Sequence, residues 1–164
     1  MERMVRGTTP EDYPEPEVSL AGPALLPEGY VSDPGQKLHL YRRLSRSRSR
    51  AEVDALADEI EDRFGRLPVE VRRLLGATVL RLLGRRAGVE RILVRDRTAR
   101  ITFRQDVMVH LAALERPLRE GLVALEVRRM APLSVVLHQE GAEPLTDTII
   151  AALETLQALR SDAA

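Results

Sequence analysis

From residue 33 to residue 88 the apolar positions recur at three- and four-residue intervals, and each run is bracketed by helix start and stop residues. Asp33-Pro34-Gly35-Gln36 supplies an N-cap acid, a proline at the first helical position and a glutamine three residues after the cap. Leu38, Tyr41 and Leu44 form the stripe predicted to face the core. Ser49-Arg50-Ala51-Glu52 is a second capping box, followed by Val53, Leu56, Ile60 and Phe64 on one face and by Gly65 as the stop. Pro68 opens a third helix with Val71, Leu74, Leu75, Val79, Leu82 and Leu83 apolar, and Gly88 closes it.

Beyond Gly88 the period drops to two. Residues 89–94 and 98–103 flank Arg95-Asp96-Arg97, and Ala99, Ile101 and Phe103 share a face, as a half-buried hairpin requires. Asp106 is placed to cap a short helix running to about Glu115, which Pro117 ends. Residues 122–127 and 133–138 read as two more strands. Pro144 and Thr146 start a last helix with Ile149, Ile150, Leu153, Leu156 and Leu159 inward. This order predicts an α+β domain over residues 31–164: three N-terminal helices, then about four mostly antiparallel strands with two further helices.

Residues 1–30 follow neither period. Met1–Arg6 reads as the end of a helix in a preceding module. Gly7, Pro10, Pro14, Pro16, Gly22, Pro23 and Pro27 then exclude regular helix and leave an extended, Pro-rich connector. Its spaced apolar residues Val18, Leu20, Leu25, Leu26 and Tyr30 suit a tether that docks across a domain surface.

Composition narrows the function classes. The chain has 164 residues, about one domain's worth, and no cysteine, which excludes a disulfide scaffold, a thiolate nucleophile and a cysteine-ligated zinc site. No apolar run reaches the roughly 18 residues of a membrane span, and no signal-peptide core is present, so a cytoplasmic location is expected. The net charge is zero but unevenly spread: −5 over residues 1–35, +9 over 36–104 and −4 over 105–164. Lys37 is the single lysine against 24 arginines, a bias that reads mainly as the codon usage of a GC-rich genome.

Catalytic chemistry has little to build on. His39, His110 and His138 fall on three separate elements without metal-ligand spacing, and no phosphate-binding glycine loop or nucleophile elbow occurs. No catalytic, cofactor-binding or metal-binding residue is assigned, and the isolated chain is not expected to be an enzyme. Two charged features remain. The run from Arg42 to Arg50 offers Arg46, Arg48 and Arg50 as candidate phosphate contacts of a basic-loop nucleic-acid-binding module. Aromatic residues are only 3% of the chain, too few for base-stacking platforms, which favours a solvated inter-helix loop. On the second predicted helix, Glu59 and Asp62 are three residues apart and so neighbours on one side, with Asp58 and Glu61 also outward. Like charges so placed repel by a few tenths of a kcal/mol, which a solvated edge tolerates and a partner's arginines would relieve.

The ordered blocks Pro16-Glu17-Val18-x-Leu20, Ala24-Leu25-Leu26-Pro27-Glu28-Gly29-Tyr30-Val31, Leu38-x-Leu40-Tyr41-Arg42-Arg43-Leu44 and Glu59-x-x-Asp62-Arg63-Phe64-Gly65-x-Leu67-Pro68 resemble the C-terminal domain of the bacterial transcription-repair coupling factor (Mfd) family. Leu82-Leu83 and Gly88-Val89-Glu90-Arg91-Ile92 fit the same family, so the resemblance covers about residues 14–103, with 104–164 similar in pattern only. It implies a regulatory, autoinhibitory role within an ATP-driven DNA translocase that removes stalled RNA polymerase and recruits UvrA. The domain would be monomeric, dock on the UvrB-like N-terminal module, mask its UvrA-binding surface and restrain the motor, with DNA reached through the parent translocase. The translocase motifs are absent here, so no ATP chemistry is expected of this chain. The family's docking block carries over to Glu59 and Asp62, with Asp58 and Arg63 beside them as partner-binding candidates. Where the family often has an apolar residue before the aspartate, this sequence has Glu61.

Overall fold

The computed structural model describes residues 13–163; the expected helix end at Met1–Arg6, with Gly7 and Pro10 of the connector, lies outside them. The elements are β1 (Glu17–Ser19), α1 (Pro34–Arg46), α2 (Arg50–Phe64), α3 (Val69–Ala87), β2 (Val89–Arg95), β3 (Thr98–Phe103), α4 (Ala112–Glu120), β4 (Val123–Met130), β5 (Leu133–Gln139) and α5 (Leu145–Ala163). They form an α+β fold with a five-stranded sheet of order β1-β2-β3-β5-β4, antiparallel except for the parallel β1–β2 pair. Cross-strand rows such as Ile92–Ile101–Val135 and Val94–Ala99–Leu137 build the buried face. Helix α3 packs on β1 and β2 and also on α1, α2 and α5, while α4 packs on β4 and α5.

The local start and stop signals fold as the sequence indicates. Asp33 Oδ2 accepts from the Gln36 amide at 2.8 Å, and Ser49 Oγ accepts from the Glu52 amide at 3.2 Å. Glu52 reaches back one residue further than a standard capping box, its Oε2 accepting from the Arg48 amide at 2.6 Å. Gly88, at φ +77°, ends α3 in the left-handed region.

Four expectations are corrected. A fifth strand exists: Glu17–Ser19, inside the segment read as connector, pairs with β2 in the register Val18↔Ile92. Helix α1 buries Leu40 and Leu44, with Tyr41 half-buried, and leaves Leu38 50% exposed. Leu38 and Leu40 point about 200° apart on a helix, so only one of them can face α3. The fourth helix runs Ala112–Glu120 rather than from Asp106 to Glu115, and Pro117 lies buried inside it. The Arg104 amide donates to the Gly88 carbonyl at 2.9 Å, and Val107 packs where a Cβ on Gly88 would sit, which ties residues 104–107 to the end of α3 and delays the helix. Burial of Pro117 offsets the backbone bond that its ring removes. Leu159 is 42% exposed, not inward.

Residues 13–31 are held to the body at many points. Leu26 is 2% exposed and Val31 fully buried in the common core. The Leu26 amide donates to Tyr41 Oη at 2.8 Å, the Leu25 amide to the Glu70 carbonyl at 3.2 Å, and Arg85 Nε to the Tyr13 carbonyl at 2.5 Å. Gly84 costs α3 about 1 kcal/mol in helix propensity. A methyl there would come within 3.1 Å of Pro16 Cγ, so the glycine lets the incoming chain lie against the helix.

Leu26→Ala is expected to destabilise the domain by about 2–5 kcal/mol, the cost of a core cavity. Urea unfolding checks it; an exposed tether would shift the midpoint by almost nothing.

Candidate functional site

The acidic face is carried by the C-terminal half of α2. Val53, Leu56 and Ile60 are buried, which turns Asp58, Glu61 and Asp62 to solvent and leaves Glu59 at 39% side-chain exposure on the boundary. The end of this helix is clamped. Tyr30 Oη donates to the Gly65 carbonyl at 2.5 Å, the Tyr30 and Phe64 rings lie 5.9 Å apart, and the Arg63 guanidinium sits 5.1 Å over Phe64. Burial, and secondly the Glu61 carboxylate, push the Tyr30 hydroxyl above its ordinary value.

The structure separates the two carboxylates expected to act together. Glu59 already holds arginines of its own chain: Arg43 Nη1 of α1 donates to its Oε2, and Arg63 Nη1 lies 3.7 Å away, one turn on. The Arg43 hydrogen bond is the main cause that holds the Glu59 carboxyl below its usual range. Asp58 and Asp62 are exposed and, among the described residues, in no ion pair. The face therefore presents bare carboxylates at Asp58 and Asp62 and a guanidinium-bridged one at Glu59. Arg43 is the residue that sequence reasoning missed; it lies 16 positions away on another helix, and no pattern within either helix marks the pair.

The three candidate phosphate contacts also part company. Arg50 turns toward α5, with Nη1 2.6 Å from Glu154 Oε1 and Nε 3.6 Å from Asp54 Oδ2. Arg46 and Arg48 instead line a cleft with arginines of α3. The histidines stay apart: His39 and His110 are exposed, and His138 Nε2 lies 3.4 Å from Glu126 Oε2 on the sheet. Among the described residues no group of three metal-ligating side chains forms, and no helix is long and apolar enough to cross a membrane.

The TRCF domain family model matches residues 20–114 of this chain. The transcription-repair-coupling factor of Haemophilus influenzae is 43% identical over 76 residues, 46% of this chain and 7% of that protein. The one from Myxococcus xanthus is 39% identical over 97 residues, covering 55% and 8%. The one from Mycobacterium tuberculosis is 40% identical over 81 residues, covering 49% and 7%. The matched stretches thus make up less than a tenth of these relatives' length. A crystal structure of the C-terminal domain of transcription-repair coupling factor has the same fold, with a TM-score of 0.80 at 19% identity, covering 93% of this chain and 98% of the other.

The lowered Glu59 carboxyl makes a signed prediction. Its pairing stabilises the fold above the ordinary carboxylate range and is lost as the pH falls through its own lower value. Wild type is expected to melt slightly above Glu59→Gln at neutral pH, with the gap closing on acidification. Melting curves from pH 7 to pH 3 check this; a gap that widens in acid contradicts it.

Proposed function

The chain belongs to the TRCF domain family, and on that premise we propose that it is a regulatory, autoinhibitory interaction domain of a transcription-coupled DNA repair translocase. The site for it is the acidic face of α2. It docks on the UvrB-like module of the parent protein, masks the UvrA-binding surface there and restrains the motor until stalled RNA polymerase is engaged. It works as a monomer in the cytoplasm, without catalysis of its own, and meets DNA through the parent translocase.

The observation that carries this reading is the presentation of exposed acid on a helix whose end is tied to the body of the domain. Asp58 and Asp62 project beside the Arg43–Glu59–Arg63 bridge from a helix whose end is fixed by Tyr30 and Phe64. Glu59, Asp62, Arg63 and Phe64 of this arrangement lie in the Glu59-x-x-Asp62-Arg63-Phe64-Gly65 block that resembles the family's docking sequence. Arginines on the opposing surface would pair with the bare carboxylates, and such contacts give specificity while staying reversible. A tether to the partner module raises the effective concentration, so a weak interface suffices to keep the closed state populated. An opener then needs a differential affinity of only a few kcal/mol.

The test is titration of this domain against the UvrB-like module at low and high salt. Glu59→Ala with Asp62→Ala is expected to weaken docking about tenfold, as loss of about 1.5 kcal/mol of charge coupling requires. Reversal of both to Arg is expected to weaken it further, because repulsion is added to lost attraction. In a full-length relative the same changes raise UvrA binding and basal ATPase. A double reversal that binds as tightly as wild type at low salt reduces this face to a solvated edge.

A further inference from the structure

Glu59 and Asp62 stand in the same block, but Glu59 is already engaged by arginines of its own chain. That engagement is incomplete. Arg43 Nη1 donates to Oε2, and Arg63 Nη1 lies 3.7 Å from the same oxygen. Both guanidinium groups converge on one side of the carboxylate, and among the described residues Oε1 accepts no hydrogen bond. Arg43 thus meets Glu59 through one nitrogen, not through the two-pronged fork that makes arginine–carboxylate contacts strong. With 39% of each side chain exposed, the bridge is wet, and an ion pair of that kind adds little to stability.

The packing beneath does not depend on the bridge. Leu40 and Leu44 seat α1 in the common core, and Val53, Leu56 and Ile60 seat α2 there. Arg43 can leave Glu59 by changing its own rotamers while both helices stay in place. Beside the bridge a groove of about 380 Å³ runs between the two helices. Glu52 and Glu59 line it from α2, and Arg43 and Arg46 from α1. The groove gives an incoming side chain a way to Glu59.

We propose that Arg43 is an internal counter-ion, which an arginine of a partner protein displaces from Glu59 on docking. A partner guanidinium that takes Oε1 and Oε2 together makes the paired contact that Arg43 does not, so the exchange favours docking. An ammonium is a point charge without that fork, which makes the fitting partner an arginine-bearing surface. Arg43 in turn holds the affinity down, because only the fraction of molecules with Glu59 released can pair. This deepens the docking reading and, for the parent protein, rests on it.

Two titrations of the 164-residue chain test it, one with a labelled hexa-arginine peptide and one with the UvrB-like module. Arg43→Met keeps the stem and the helix propensity but removes the guanidinium, and is expected to tighten both about threefold. Arg42→Met removes the same charge at the exposed neighbouring position and is expected to change binding much less. With Glu59→Gln already in place, Arg43→Met is expected to bring no gain. Side-chain NMR of wild type gives a reading that needs no stable Arg43 variant. On addition of the peptide, the Arg43 Nε–H signal should move toward its position in Glu59→Gln, where the guanidinium is released. The proposal is overturned if Arg43→Met binds the peptide no tighter than wild type, if Arg42→Met gains as much, or if the gain survives Glu59→Gln. It is also overturned if the Arg43 signal stays still under saturating peptide, or if a module that docks on wild type gains nothing from Arg43→Met. A module that docks on neither protein, beside a peptide that behaves as expected, refutes the docking reading and supports the displacement.

Discussion

Helix α3 has to be covered from nearly every direction, because Val71, Leu74, Leu75, Ala77, Val79, Leu80, Leu83 and Ala87 leave it no broad polar stripe. α1 and α2 supply part of that cover, α5 another part, and β1 with β2 the rest. The position of every functional group follows from this helix. Packing on α3 sets the roll of α2 and so decides which of its carboxylates face out. The last turns of α3 supply the arginines that meet the loop after α1. The chain before α1 is likewise fastened along it, through Pro16 at Gly84 and Leu25 at Glu70.

What could be read from the sequence was local. Caps at Asp33 and Ser49 and stops at Gly65 and Gly88 act within a few residues, so three helices and the hairpin after them are legible. β1 was not, because three residues among prolines have no periodicity and their pairing partner is about 74 positions away. Pro117 misled for a related reason: a local rule yielded to packing against other elements. The same division runs through the candidate site. Exposure of Asp58 and Asp62 follows from a 3.6-residue period, but the bridge from Arg43 to Glu59 and the convergence of Arg81, Arg85 and Arg86 on Arg46 and Arg48 exist only in three dimensions.

The zero net charge conceals two opposed surfaces that almost touch. Arg46 lines both the arginine cleft and the shallow groove that reaches Glu59. At physiological ionic strength the screening length is about 8 Å, so each patch acts on what lies against it while the distant field of the molecule stays small. Such a surface suits contacts made at high effective concentration within a larger assembly more than capture of free partners by long-range steering.

The brevity of β1 hides a protective role. The sheet has two outer strands, and they are guarded by different means. β4 carries Glu126, Arg128 and Arg129, charges that make it a poor template for another strand. β2 would be the outer strand on the other side if Glu17–Ser19 did not lie along it. A recombinant fragment begun at residue 31 would keep all five helices yet bare that edge, with the apolar Val89, Ile92 and Val94 behind it, and would be prone to strand-to-strand aggregation. Expression boundaries for this domain therefore belong upstream of β1.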